Sequence, residues 1–253
     1  MIKSINKAIE ILELLKKYPE GLSLVEICTL LSIPKTTAFG LLKTLTTSLY
    51  LLKDEKNTYK LGPALISLGQ VASLGMNIQK IIYPILEDLS LKIGVDSFLM
   101  VPIGYKGTVI ERVNGKESVR VIERFGNEFY LHCGATRKAI LANKSDKFIK
   151  SYIKDVIEKE NAQIKSSDLI NTLNKIKKEG VAISFGDYAK GTIGIGAPLY
   201  NYKGEVIASI GINLLENDKI TEEKINEIKN IVKLKAEEGT KKLEILSINT
   251  IKY

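Results

Sequence analysis

"IPKTTAFGLLKTL", residues Ile33–Leu45, is the stretch that decides the fold of the N-terminal part of this chain. Its apolar residues recur at the i, i+3, i+4 and i+7 spacing of a helix that buries one stripe. They are Ala38, Leu41, Leu42 and Leu45. The opposite face carries lysines, threonines, Phe39 and Gly40, and no acidic residue. Because an ordinary solvated helix face pairs Glu with Lys, this face is expected to meet a partner.

The charge distribution around this helix favours a polyanionic partner. The chain has 37 Lys and Arg against 29 Asp and Glu, a formal net charge of +8 over 253 residues. No acidic residue occurs from Ile27 to Lys53, where the average composition would place about three. A positive surface without carboxylates is suited to the phosphates of a nucleic acid.

The segments that flank the stretch complete a winged helix-turn-helix. Ser23, with Glu26 three residues later, has the spacing of a capping box at the start of a second helix. A short turn containing Pro34 leads into the third helix, and two short strands around a polar turn follow it. Three helices and a hairpin in this order predict a winged helix-turn-helix DNA-binding domain over residues 1–62.

In such a domain the third helix enters the major groove and the hairpin lies over phosphates. The double-stranded DNA operator is therefore expected to contact twelve residues. These are Ser23, Lys35, Thr36, Thr37, Phe39, Gly40, Lys43, Thr44, Lys53, Lys56, Asn57 and Lys60. Residues 1–62 hold nine Lys, six acids and no Arg, nine minus six giving +3, which favours dimers on two half-sites and an A·T-rich operator. Binding of RNA or protein by this unit is the alternative.

The rest of the chain predicts an α+β arrangement. Residues 63–77 have the pattern of a linker helix, and residues 78–253 form a second domain in which runs of strands are flanked by helices, as in a mostly antiparallel sheet. The predicted strands are 96–104, 106–115, 118–126, 181–188, 192–201 and 206–215. The predicted helices of this domain are 78–93, 137–143, 146–160, 167–179 and 221–246.

No residue pattern in the chain supports catalysis, a metal or a cofactor. His132 is the only histidine and adjoins Cys133, but neighbours on a strand point to opposite faces and make a poor nucleophile and base. One His and two distant Cys cannot supply the ligands of a zinc site. The glycines of "GTIGIG", residues 191–196, lack the Lys and Ser/Thr of a phosphate loop. An enzyme on the α+β domain, with the N-terminal unit for docking, is the second alternative.

The location of the protein is expected to be cytoplasmic. No apolar run reaches the roughly 20 residues that span a bilayer, so no membrane partner is predicted. The N-terminal helix has charges within its apolar pattern, unlike a secretion signal. Two cysteines are too few for a disulfide framework, which agrees with a reducing compartment.

An ordered set of motifs resembles the IclR-type family of transcriptional regulators. The N-terminal segment "AIEILELLKKYPEGLSLVEICTLLSIPKTTAFGLLKTL" is similar to the family's DNA-binding half. "FGNEFYLHCGATRKAILA" and "EGVAISFGDYAKGTIGIGAPLYNYKGEVIASIGI" are similar to segments of its effector half. The resemblance implies a winged helix, a linker helix that dimerises, and a GAF-like effector-binding domain that takes a small metabolite.

The resemblance also implies a function and a set of ligand-binding residues. It implies a repressor of a catabolic operon, a homodimer or tetramer, that responds to an organic, sugar or aromatic acid. The positions that match the family's pocket are Ala135, Thr136, Ser184, Thr192, Gly194, Gly211 and Asn213. Arg137 stands where the family usually has Gly, and it is expected either to supply a charge to an acidic ligand or to lie exposed on a helix.

Overall fold

A computed structural model describes residues 2–74, 78–117, 121, 123–159, 164–217 and 220–250, and the chain divides into two units, residues 1–77 and 78–253. The first unit contains α1 (Lys3–Lys17), β1 (Leu22–Ser23), α2 (Leu24–Leu31), α3 (Lys35–Thr47), β2 (Leu51–Lys53), β3 (Thr58–Leu61) and α4 (Ala64–Leu74). Its sheet has the antiparallel order β1-β3-β2. The winged helix-turn-helix is confirmed, while β1, two residues long, is too short to show a period in the sequence.

The core of the first unit fixes the orientation of α3. Ala38 and Leu42 are fully buried, in one cluster with Ile11 of α1 and Ile27 of α2. The remaining two residues of the predicted apolar stripe are partly buried against the same cluster. Because Ala38 and Leu42 lie one turn apart on the same side, the opposite side of α3 remains outside the core.

The predicted capping box at the start of α2 is confirmed. The Ser23 hydroxyl accepts a hydrogen bond from the Glu26 amide at 3.3 Å, and the Glu26 carboxylate accepts one from the Ser23 amide at 2.7 Å. Pro34 occupies the N-cap of α3, one position before the first helical residue, with φ −60° and ψ 141°. That position is extended, so Pro34 belongs to the turn that leads into α3, as the sequence predicted.

The second unit is a six-stranded antiparallel sheet between layers of helices, which confirms the predicted α+β class. Its elements are α5 (Ile78–Ile93), β4 (Ser97–Ile103), β5 (Lys106–Val113), β6 (Phe129–Tyr130), α6 (Ala135–Ala142), α7 (Asp146–Tyr152), a π-helix (Ile153–Glu158), α8 (Ser166–Glu179), β7 (Ala182–Phe185), β8 (Thr192–Tyr200), β9 (Val206–Leu215) and α9 (Glu222–Thr250). The strand order is β6-β5-β4-β9-β8-β7. Helices α5 and α9 belong to the core on one face, and α6 and α8 belong to the core on the other.

Glycines in the two central strands let α6 lie directly on the sheet. A Cβ atom at Gly196 would lie 2.6 Å from the Thr136 Cα, and one at Gly211 would lie 2.3 Å from the Thr136 Cγ2. The two glycines are paired across β8 and β9. Any side chain at either position would push the start of α6 away from the strands.

Two segments differ from the sequence-based expectation. Val121 and residues 123–126 of the predicted strand 118–126 lie in no strand, and its other residues are outside the described residues. The edge strand is instead β6, and Glu123 is paired with Arg137. The predicted regular helix 146–160 becomes a π-helix at Ile153, and the wider turn buries the adjacent Val156 and Ile157 together.

In the described part of the chain, no single helix has the length and apolar character to cross a bilayer. One pair of helices, α2 with α3, reaches that composition jointly, but the two are bent by 118° at the turn between them.

The capping box yields a prediction about stability and its pH dependence. We expect Ser23→Ala to lower the free energy of unfolding of the first unit by about 1 kcal/mol at neutral pH, because an orphan amide loses its acceptor. The Ser23 hydroxyl, and then its amide, donate to the Glu26 carboxylate and hold the pKa of Glu26 below its ordinary value. The part of the stabilisation that the Glu26 carboxylate contributes is therefore present above the ordinary Glu pKa and is lost as the pH falls through the lowered value.

Chemical denaturation at several pH values, with an NMR titration of Glu26, measures both effects. Ser48→Ala, at the exposed C-cap of α3, is the control and is expected to change stability by less than about 0.5 kcal/mol. An unchanged Glu26 pKa in Ser23→Ala would contradict the assignment of the shift to this box.

Candidate DNA interface and effector site

The outer face of α3 is exposed along its whole length. Thr36, Gly40, Lys43 and Thr47 follow one another at three- and four-residue spacing and form the centre of this face. Phe39 flanks them, and all five residues are exposed. Thr47 was not among the predicted contacts, because it lies beyond Leu45, the last residue of the periodic stretch in the sequence.

The threonine hydroxyls at the end of this face are bonded within the helix. Thr44 Oγ1 donates to the Gly40 carbonyl at 3.0 Å, and Thr47 Oγ1 donates to the Lys43 carbonyl at 2.9 Å. Their methyl groups remain for apolar contact. At the other end the cap residue Pro34 makes no side-chain hydrogen bond, so the first amides of α3 are free to meet a phosphate.

The hairpin of β2 and β3 carries the other predicted contacts. The Asp54 carboxylate accepts hydrogen bonds from the amides of Lys56 at 3.0 Å and Thr58 at 2.9 Å, and the Thr58 bond is the main cause of a lowered Asp54 pKa. Asn57 has the left-handed φ of 61°, which turns the chain at the tip. Lys56 and Asn57 are exposed there, while Lys60 is half-buried with its Nζ 3.9 Å from Asp54.

Two further predicted contacts already have partners inside the unit. The Ser23 hydroxyl donates to Glu26 Oε2 at 2.7 Å, so a bond from Ser23 to a phosphate would first have to break the capping box. Lys53 Nζ lies 5.5 Å from the ring centroid of Tyr59 and is exposed. Lys53 therefore remains accessible to a phosphate, whereas Ser23 acts mainly on the structure of α2.

The second unit brings four of the seven predicted ligand-binding residues together beneath α6. A Cβ atom on Gly194 would lie 2.7 Å from Ser184 Oγ, 3.1 Å from Asn213 Oδ1 and 3.5 Å from the Ala135 Cβ. Ser184, Gly194 and Asn213 are directly paired across β7, β8 and β9. Thr192 lies two residues before Gly194 on the same face, and its hydroxyl donates to the Ala189 carbonyl at 2.6 Å.

Asn213 has an unused donor in this cluster. It is 8% exposed, and its Nδ2 atom is buried without a hydrogen-bond partner. A buried amide donor left unpaired is unfavourable by about 1–3 kcal/mol, so a ligand acceptor would be stabilising there. Thr136 and Gly211, by contrast, pack against each other, and the Thr136 carbonyl accepts from Ser209 Oγ at 2.9 Å. These two residues hold α6 on the sheet.

The N-terminus of α6 lies beside the cluster, since the Ala135 Cβ is 3.5 Å from the position that a Cβ on Gly194 would occupy. Its N-cap is Gly134, whose φ of 80° is in the left-handed region, and it makes no side-chain cap bond. Ala135 is the first helical residue and Thr136 the second. Helix N-termini favour negative groups, because the first amides lack acceptors and the helix dipole is positive there.

Arg137 is neither exposed nor available to a ligand, contrary to both expectations. It is 1% exposed, and its guanidinium donates to the Glu123 carboxylate, itself 2% exposed, at 3.1 Å and 3.3 Å. The guanidinium carbon also lies 5.0 Å from the ring centroid of Phe129 and 5.6 Å from that of Tyr188. The next residue, Lys138, is paired with Asp187. Both cations beside the cluster are thus neutralised by the protein.

His132 and Cys133 lie in a turn between β6 and α6, so the expectation that they are neighbours on a strand was wrong. His132 Nδ1 is 2.7 Å from the Tyr152 hydroxyl, which also accepts from the His132 amide at 3.1 Å. Burial raises the pKa of the Cys133 thiol, which keeps it protonated. Within the described ranges no group of three or more His, Cys, Asp or Glu side chains is placed to hold a metal ion.

Family models match both parts of the chain. The model of the bacterial transcriptional regulator IclR C-terminal domain matches residues 70–239, and the IclR helix-turn-helix domain model matches residues 4–55. The chain is 27% identical over 213 residues to the HTH-type transcriptional regulator KipR of Bacillus subtilis, covering 83% of this chain and 85% of KipR.

Solved structures resemble the whole chain. The crystal structure of the Thermotoga maritima IclR matches with a TM-score of 0.70 and 30% identity, covering 96% of this chain and 99% of that one. An IclR homologue from Microbacterium hydrocarbonoxydans, crystallised in complex with 4-hydroxybenzoate, matches with a TM-score of 0.78 and 16% identity, covering 95% and 98%. The proteins of this family are transcriptional regulators and not enzymes. The chain belongs to the IclR family of bacterial transcriptional regulators, with a DNA-binding helix-turn-helix unit followed by an effector-binding unit.

Proposed function

We propose that this regulator is a homodimer, or a tetramer built from dimers, that represses a catabolic operon in the cytoplasm. Two α3 helices bind the major grooves of a double-stranded DNA operator, and the hairpin lysines contact phosphates beside them. A small organic, sugar or aromatic acid binds beneath α6 and changes the operator affinity.

The observation that carries this proposal is the exposed, acid-free face of α3. Ala38 and Leu42 hold that face outside the core, and its central residues include Lys43, while Lys35 lies exposed at the helix start. Electrostatic contacts of this kind supply most of the affinity of a protein for duplex DNA. A unit with a net charge of +3 has few such contacts, so two copies are needed for stable binding.

The first prediction concerns this face. We expect the double variant Thr37→Glu with Lys43→Glu to lower the affinity for duplex DNA at least about tenfold, because two carboxylates would approach the phosphates and one cation is lost. Fluorescence anisotropy with a labelled duplex pool at several salt concentrations measures it. A flatter dependence of log affinity on log salt should accompany the loss.

Lys17→Glu is the control, because Lys17 is exposed at the end of α1 and off the α3 face. It lowers the net charge by two, against three for the α3 variant. Its affinity for duplex DNA is expected to remain within about twofold of the wild type. Equal losses in the control and in the α3 variant would show that net charge alone governs binding, and would contradict the proposed interface.

The cluster beneath α6 supports an acidic effector. Its donors are the unpartnered Asn213 amide, the Ser184 hydroxyl and the first amides of α6, which suit a carboxylate. Arg137 and Lys138 are neutralised by their own partners, so the donors must hold the carboxylate without a free cation. The homologue that was crystallised with 4-hydroxybenzoate supports an aromatic acid as one class to test.

The second prediction concerns this effector. A thermal-shift screen against organic, sugar and aromatic acids, including 4-hydroxybenzoate, is expected to give a ligand that stabilises the wild type. Asn213→Asp should abolish the shift, because a second carboxylate beside the first is repelled. Asn174→Asp, exposed on α8, should preserve it. An acid that stabilises Asn213→Asp as strongly as the wild type would place the effector site elsewhere.

Helix α4 supports assembly through a second copy of the chain. It has no charged residue from Ala64 to Leu74, yet Ile66, Leu68 and Val71 are all more than half exposed. Leu68 and Val71, three residues apart, share one side of the helix, and Ile66 projects from the opposite side, as in a helix with apolar partners on more than one side. Two copies of α4 would cover each other and bring the two α3 helices to successive grooves.

The third prediction concerns assembly. We expect Ile66→Lys with Val71→Lys to shift the protein from dimer to monomer in sedimentation experiments, because two charges would be buried at the interface. Leu91→Lys, at an equally exposed leucine of α5, should leave the sedimentation profile unchanged. A fully dimeric α4 variant would contradict the proposed interface.

Regulation then requires only a modest coupling between the two sites. Effector binding is proposed to change the preferred geometry of the dimer, and so the match of the two α3 helices to their half-sites. A coupling free energy of about 1–3 kcal/mol changes the operator affinity by about 5- to 150-fold.

A further inference from the structure

The outer face of α3 has few of the groups that read bases through hydrogen bonds. In the major groove, Arg or Lys reads guanine, Asn or Gln reads adenine, and Asp or Glu reads cytosine. The segment from Lys35 to Thr47 contains no Arg, Asn, Gln, Asp or Glu. At the centre of the face only Lys43 belongs to this set, and the Thr36 hydroxyl is a further group that can bond a base, so hydrogen-bond readout is limited to about two positions in each half-site.

Apolar groups take up most of the rest of the face. Phe39 is 54% exposed and lies outside the core cluster of the first unit. The hydroxyl groups of Thr44 and Thr47 donate hydrogen bonds to carbonyls of their own helix, so the methyl group of each side chain is the part available to a partner. Thr36, at the start of the face, adds a third exposed methyl group.

Gly40 lies between these groups and leaves the main chain uncovered. A Cβ atom at this position would have no neighbour within 4 Å, so the glycine is not required by packing. Because Gly40 has no side chain, nothing at this position keeps a partner surface away from the backbone of α3 beside Phe39. A partner surface can therefore approach Phe39 closely.

We propose that α3 recognises its operator chiefly through the 5-methyl groups of thymine, with Phe39 as the main contact and the threonine methyls beside it. The inference rests on the proposed function, since it requires α3 to lie in the major groove. Thymine is the natural base whose major-groove edge carries a methyl group, and Phe and Thr methyls are suitable contacts for it. Such a face selects A·T pairs without hydrogen-bonding them.

The test uses the full-length protein and a random duplex pool. Rounds of binding and sequencing should give a half-site rich in A·T pairs. The selected duplex is then prepared with uracil in place of each thymine in turn, which removes only the methyl group. At the contacted positions we expect an affinity loss of about fourfold per methyl group, from its lost apolar burial. At a contacted position, replacement of thymine by cytosine should lower the affinity. Replacement by 5-methylcytosine should lower it less, because the methyl group is kept.

The variant Phe39→Ala tests whether Phe39 is the residue that contacts the thymine methyl group. This variant should bind the thymine duplex about fourfold more weakly and lose its sensitivity to uracil at one position. Its thermal unfolding and salt dependence should match the wild type, since Phe39 is exposed and uncharged. Tyr18→Ala, at an exposed aromatic residue beyond the end of α1, should keep the wild-type response to uracil.

The outcomes separate this inference from the proposed function. Equal affinity of the wild type for thymine and uracil duplexes, or a selected half-site rich in G·C pairs, would overturn the methyl readout and leave the DNA-binding function intact. Undiminished uracil sensitivity in Phe39→Ala would overturn the role of Phe39. A full-length protein that binds no duplex even at low salt would overturn the proposed function as well.

Discussion

The burial of one side of α3 is the constraint on which the account depends. Ala38 and Leu42 are both fully buried, and they hold the helix against α1 and α2 so that its threonines, Lys43 and Phe39 stay outside. A rotation of α3 by half a turn would bury Lys43 and expose Leu42, which is unfavourable for both residues. The core of the first unit therefore determines which face is available to DNA.

The second unit obeys an equivalent constraint at Gly196 and Gly211. These glycines let Thr136 lie against the strands, which places the N-terminus of α6 over Ser184, Gly194 and Asn213. The next residue of α6, Arg137, forms a buried pair with Glu123, and removal of one partner from such a pair is unfavourable by about 3–5 kcal/mol. Among the described residues, the two cations beside this proposed effector cluster, Arg137 and Lys138, are each paired with a carboxylate.

The sequence predicted the elements whose signals are local. The stripe of α3 and the box of Ser23 and Glu26 depend on residues within one or two turns of each other, so periodicity and spacing were enough. By contrast, β1 and β6 have two residues each and exist only through pairing with distant strands. The burial of Arg137 was not predicted, because its partner Glu123 is 14 residues away in the chain. Glu123 lies in a segment whose alternating pattern favoured a strand, which gave no indication of this ion pair. Such partners cannot be read from a single sequence without the fold.

A crystal structure of the full-length protein with a selected operator duplex would test the central claim most directly. The account requires α3 to lie in the major groove in both copies, with the Phe39 ring within about 4 Å of a thymine methyl carbon. A complex in which the Phe39 face points away from the duplex, and DNA is held by another surface, would contradict it.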